Sequence, residues 1–148
     1  MDDQPRSAGL TPDDWATVWL RHNRFKRPED FWAFDELVMT LWEDPERVWS
    51  VLLSLVKLAG SDQLGAVAAG PLEHLIDDHA PGFIDRIERQ AASDPRFRET
   101  LGAIWLNSRY LPADIVRRIV AASGGVIEPF NLDYDEAERE YQKGRDGA

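Results

Sequence analysis

Proline placement constrains this chain more than any other feature of it. Of its nine prolines, seven stand where a helix is expected to begin: Pro12, Pro28, Pro45, Pro71, Pro81, Pro95 and Pro112. Proline suits the first helical turn, where its missing N–H would have no intrahelical acceptor, and it disrupts a helix further in. Thr11, Asp44 and Asp94 each precede a proline, and their side-chain oxygens can accept from orphan backbone N–H groups as N-caps. Asp13 and Asp14 follow in the first turn, where the helix dipole favours negative charge.

Between these marks, apolar residues recur at helical spacing. Trp15, Val18, Trp19 and His22 share one face of a first helix. Phe31, Phe34, Val38 and Leu41 form the stripe of a second, which Trp42 widens. Val48, Leu52, Leu55 and Ala59 line a third, and Val51, Val56 and Leu58 make it apolar on most sides. A helix of that kind belongs in the middle of a core. Gly60 ends it, and further helices are expected over 62–69, 71–78, 83–92, 95–105 and 112–122, the last closed by Gly124-Gly125. No run alternates as a strand does, although 126–130 suits a short extended piece docked on the helices.

The reading is therefore all-α: a compact, irregular bundle of about seven or eight helices. Asp44-Pro45 and Asp94-Pro95 stand fifty residues apart, and each opens a segment containing a tryptophan. That weak internal echo suggests HEAT-like helix pairing in the middle of the chain. Residues 1–10 lack an apolar pattern and are expected to be disordered. Residues 11–132 form one helical domain. Residues 133–148 form a charged tail, with Tyr134, Ala137 and Tyr141 spaced for a short helix.

At 148 residues with 43% apolar content, the chain can build a core without staples. It has no cysteine, which excludes disulfides and thiolate chemistry and suits a cytoplasmic location. The first residues do not read as a signal peptide, and no apolar run approaches the ~18 residues of a membrane span. The net charge of −10 argues against nucleic acid as a partner, because phosphate contacts need surplus Lys and Arg. Arg21-His22-Asn23-Arg24-Phe25-Lys26-Arg27 is the one basic run, and its cations suit the C-terminus of the first helix.

Candidate chemistry concentrates at Glu73-His74-Leu75-Ile76-Asp77-Asp78-His79, with Asp85 and Glu88 downstream. His74 and Asp78 are four apart and share a helix face, as do Glu73 and Asp77. Imidazole and carboxylates so spaced, His79 included, can hold a divalent metal that activates water. The plainer reading makes them solvated residues flanking buried Leu72, Leu75 and Ile76. Asp85 and Arg89 form an i,i+4 pair, and with Arg86, Asp94, Arg96 and Arg98 they suggest a salt-bridge-laced face. Arg86 is also a candidate for reading a carboxylate or phosphate. The six tryptophans are mostly core by spacing, with one exception. Trp32, Phe31 and Phe34 cannot all face inward, so Trp32 or Phe31 is expected at a contact surface.

The words Ala68-Ala69-Gly70-Pro71-Leu72-Glu73, Phe83-Ile84-Asp85-Arg86-Ile87-Glu88, Asp94-Pro95-Arg96-Phe97-Arg98 and Leu101-Gly102-Ala103-Ile104-Trp105 resemble a family of small bacterial proteins known as a domain of unknown function. The resemblance implies a helical fold and a bacterial source, and no activity. It directs attention to Glu73, Asp85, Arg86, Glu88, Asp94 and Trp105. Read physically, Gly70 lets two helices meet at a tight corner, and Glu73 follows Pro71 where a carboxylate can cap free N–H groups.

The functional expectation is a non-enzymatic, acidic cytoplasmic interaction module, immunity-like or regulatory, with no cofactor. Its partner is a protein, a basic one by charge, met through Trp32, Asp77, Asp78 and Arg86. One alternative is a small metal-dependent hydrolase using Glu73, His74, Asp78, Asp85 and Glu88, its metal held by His74, Asp78 and His79. The other is a nucleic-acid mimic.

Overall fold

The computed structural model describes residues 4–147. Its helical elements are α1 (Pro12–Phe25), α2 (Phe31–Glu43), α3 (Pro45–Leu58), α4 (Leu64–Val67), α5 (Glu73–Ser93), α6 (Pro95–Gly102), α7 (Ala113–Ala122) and α8 (Tyr134–Asp146). The caps act as their sequence suggests. Thr11, Asp44 and Asp94 accept from the backbone N–H of Asp14, Arg47 and Arg96. Among the described residues the only strand-like feature is a parallel bridge between Asn107 and Phe130. It docks the extended 126–130 segment on the bundle and buries Ile127.

α3 lies at the centre. Val48, Trp49, Val51, Leu52, Leu55 and Val56 are all buried, against α1 and α2 on one side and α5 and α6 on the other. A single core runs from Trp15 through Leu52, Leu72 and Ile76 to Phe97 and Ile119.

Three sequence expectations are corrected. Pro71 and Pro81 do not start helices. Residues 64–93 run as one nearly continuous helical rod: α4, a wide π turn over Ala68–Leu72, then α5 with Pro81 inside it. An interior proline cannot donate, and its ring crowds the carbonyl four residues back. The wider turn absorbs that misfit, and the Glu73 N–H donates to the Ala68 carbonyl five residues back. The tight corner expected at Gly70 is therefore this bulge.

Second, α6 stops at Gly102, which leaves Trp105 outside any helix. Third, the described part of the N-terminus is docked. Ser7 is buried, and Glu36 accepts from its N–H and hydroxyl at 3.0 and 2.7 Å. Arg47 donates to the Ser7 carbonyl. Residues 1–3 of the segment expected to be disordered lie outside the described residues. The charged tail carries a helix where one was expected, α8, with no buried residue of its own. Tyr110 stacks on Tyr134 at 5.8 Å, and Arg109 pairs with Asp133, tying its start to the bundle.

Candidate interaction groove

The predicted catalytic and metal cluster does not converge. Arg118 of α7 takes both Asp85 and Glu88, at 2.6 Å to Asp85 Oδ1 and 3.0 Å to Glu88 Oε2. That tie to α7 replaces the i,i+4 pair expected between Asp85 and Arg89. Arg86 pairs with Glu46 of α3 and lies 4.0 Å over the Phe83 ring, so it is held in a helix contact. The expected charged face is also used internally. Arg96 donates to the Val56 and Ala59 carbonyls at the end of α3, and Arg98 to Ala91. Among the described residues no three of His, Asp and Glu gather to hold a metal. His74, Asp78 and His79 are thus not gathered as a metal set: His79 holds the Leu41 carbonyl, His74 lines an apolar slot and Asp78 is exposed.

Glu73 does not cap its own helix; it accepts the Trp105 backbone N–H at 3.3 Å. Partial burial raises its pKa, with the Trp105 hydrogen bond and His74 opposing. Asp77, one turn on, has an exposed outer edge. Its inner side loses water to the surrounding protein and faces the carboxylates of Glu73 and Asp78, which together push it up to about 6.

That value predicts a pH effect. A carboxyl whose folded pKa lies above its unfolded value, near 3.8 here, binds its proton more tightly in the folded state. The group then favours folding at low pH, and stability falls as pH rises from about 4 to about 6. Asp77→Asn is expected to raise stability at pH 7.5 by about 1 kcal/mol, a figure discounted for the solvated edge, and by much less at pH 4.5. Urea titrations at the two pH values check this. Equal effects at both would refute the assignment.

The aromatic residues sort differently from their spacing. Trp15, Trp19 and Trp49 are buried, but Trp42 is 67% and Trp105 75% exposed. Trp32 packs part-buried against the core, so of the pair it is Phe31 that faces outward. Trp32, the expected contact residue, keeps only an intermediate share of its surface in solvent.

What takes its place is a stripe along α2. At 100° per residue, Phe31, Phe34, Val38 and Trp42 fall within one narrow strip about 16 Å long. Phe31, Phe34 and Trp42 all keep more than a third of their surface in solvent. The stripe forms one wall of a groove, and the opposite wall is the π turn and the start of α5. At its head is an open cleft of about 290 Å³ between Trp19, Phe31, Phe34 and Gly70, rimmed by His22 and Lys26. It continues into a narrow apolar slot between Val38, Leu41, Pro71 and His74. A Cβ at Gly70 would make ordinary van der Waals contact with the Trp19 ring, at 3.8 Å.

All three histidines of the chain lie along this groove. His22 packs edge-on to Phe31 at 5.6 Å and near Phe34 at 6.3 Å. His74 lines the slot. His79 sits 6.3 Å from Trp42, and its Nε2–H donates to the Leu41 carbonyl at 2.9 Å. Asp78 and Glu43, the sequence neighbours of His79 and Trp42, are both exposed, and Lys26 lines the head of the groove. The spacing of Phe31, Phe34, Val38 and Trp42 was visible in the sequence. The facing wall was not, because Pro71 reads as a helix start rather than as part of a bulge.

A family model described as a family of unknown function (DUF6869) matches residues 21–126, and the chain belongs to that family. The matched span takes in the groove apart from Trp19. No curated protein matches the chain. No solved structure matches it. No described helix is long and apolar enough to cross a membrane.

Proposed function

We propose that this member of the family is a non-enzymatic interaction module of the bacterial cytoplasm, regulatory or immunity-like, that binds a protein partner along the α2 groove. One observation carries the reading: Phe31, Phe34 and Trp42 present their rings to solvent on a single strip beside a preformed cleft. Aromatic side chains left exposed together are costly in a free protein and supply the anchors of interfaces. The acidic end near Trp42 fits a partner segment with basic residues beside its apolar ones. The wider surplus of acids speeds the approach of such a partner.

The test uses the full chain with partners crosslinked in the source cell and identified by mass spectrometry. Phe34→Ser and Trp42→Ala are expected to lose the partner, each by about tenfold or more, as anchor residues do. Trp105→Ala, an equally exposed tryptophan outside the groove, is expected to retain it. Association is expected to slow as salt rises toward 0.15 M. Glu43→Gln with Asp78→Asn should reproduce that slowing. A partner lost only in Trp105→Ala would move the interface out of the groove to the surface around Trp105.

A further inference from the structure

We infer that the head of the groove reads the C-terminal carboxylate of a partner peptide whose last residue is aromatic or branched; this rests on the α2 groove being the docking face. The cleft has the two parts such a ligand needs. Its body is apolar: Trp19 forms the floor, Phe31 and Phe34 one side, Gly70 the other. Its rim carries polar groups from the last turn of α1, namely His22, Asn23 and Lys26.

The neighbouring cations are already committed. Arg21 is bound through two nitrogens to Asp30, at 2.8 and 2.7 Å. Arg24 pairs with Asp62 at 3.1 Å, and Arg27 lies over the Phe25 ring at 5.2 Å. Lys26 has no carboxylate partner among the described residues, in a chain of net charge −10. As the only lysine or arginine lining the cleft, it is the group there that can meet an anion.

Two further details point the same way. The buried Gln63 amide donates to the Leu20 carbonyl at 3.0 Å and to Asn23 Oδ1 at 3.3 Å. With its oxygen turned to Gln63, the Asn23 side chain keeps its Nδ2 hydrogens for an acceptor. Lys26 is the single non-glycine residue with positive φ among the described residues, at 55°, and it occupies the C-cap of α1. Glycine is the usual residue in that conformation. A lysine there carries a conformational cost that glycine would not, and it brings to the lining of the cleft a charge that glycine cannot supply. The cleft also opens into the α2 stripe. A chain end seated at the head can therefore continue along Phe34, Val38 and Trp42, which favours a peptide over a free small acid.

The test is an NMR titration of the ¹⁵N-labelled full chain. The probes are an acetylated hexapeptide ending in phenylalanine with a free carboxylate, the same peptide as its C-terminal amide, and N-acetylphenylalanine. The free-acid peptide is expected to shift the Trp19 indole and the amides of Phe31, Phe34, Ala66 and Gly70. The amide should bind at least about tenfold more weakly, the size of effect a charge-assisted hydrogen bond carries. Lys26→Gly removes the ammonium while relieving the backbone, so it should fold at least as well. It is expected to erase the difference between acid and amide, and Lys26→Arg to keep most of it. Equal binding of acid and amide, or no shifts at all, overturns the inference and leaves Lys26 as a cation complementing the end of α1. N-acetylphenylalanine binding as tightly as the peptide overturns the choice of a peptide. In either case, partner loss in Phe34→Ser and Trp42→Ala would still stand, so the two readings fail separately.

Discussion

Trp15→Ala is expected to cost about 3–5 kcal/mol from lost packing alone, and more once the lost indole hydrogen bond is counted. The indole is fully buried, and its Nε1–H donates to the Ala33 carbonyl at 2.9 Å, which staples α1 to α2. The Arg47 guanidinium lies 4.7 Å over the ring, and the same arginine reaches the Ser7 carbonyl. Removing the ring thus also loosens the grip on the N-terminal segment. Trp15→Phe separates the contributions. It retains most of the volume and loses the donor, so about 0.5–1.5 kcal/mol is expected for the lost hydrogen bond, the Ala33 carbonyl keeping its partner within α2. Denaturant unfolding of both variants measures the difference. A Trp15→Phe as damaging as Trp15→Ala would show that the hydrogen bond, not the packing, holds the two helices.

Leu52→Ala is expected to cost about 2–5 kcal/mol, toward the upper end. Leu52 has no exposed surface, and α3 is packed from both sides by helices that cannot all move inward to fill the space left behind. Incomplete collapse of a cavity is what raises the cost of such truncations. Leu58, at the end of the same helix and 43% exposed, provides the comparison. Leu58→Ala is expected to stay within about 0.5 kcal/mol. Similar effects for the two would mean that α3 is not the central element.

Much of the fold was legible because its signals are local. Thr11, Asp44 and Asp94 act within three residues of themselves, and the caps appear where these residues stand. The near all-round apolar character of 48–58 marked α3 as central, and its burial agrees. Of the site, the Phe31–Trp42 spacing was readable, since helical geometry alone aligns those positions. The basic run that supplies His22, Asn23 and Lys26 was readable too, as a run. Its joining to Phe31, Phe34 and Gly70 in one cleft was not.

What the sequence determined by itself, then, is the helical character of the chain, the capped starts of α1, α3 and α6 and the position of the central helix, through interactions spanning a few residues. Tertiary structure decided the rest. It chose which tryptophans to bury, since an apolar stripe wider than its contact leaves one edge in solvent: Trp42 is outside and Trp32 partly inside. It chose Arg118 for Asp85, because an arginine brought within 2.6 Å by a neighbouring helix outcompetes one a turn away on a solvated face. It merged 64–93 into one rod despite Pro71 and Pro81, because burying Leu72, Leu75, Ile76, Phe83, Ile84 and Ile87 on the core outweighs the hydrogen bonds two prolines remove. The groove exists only as a result of that last choice.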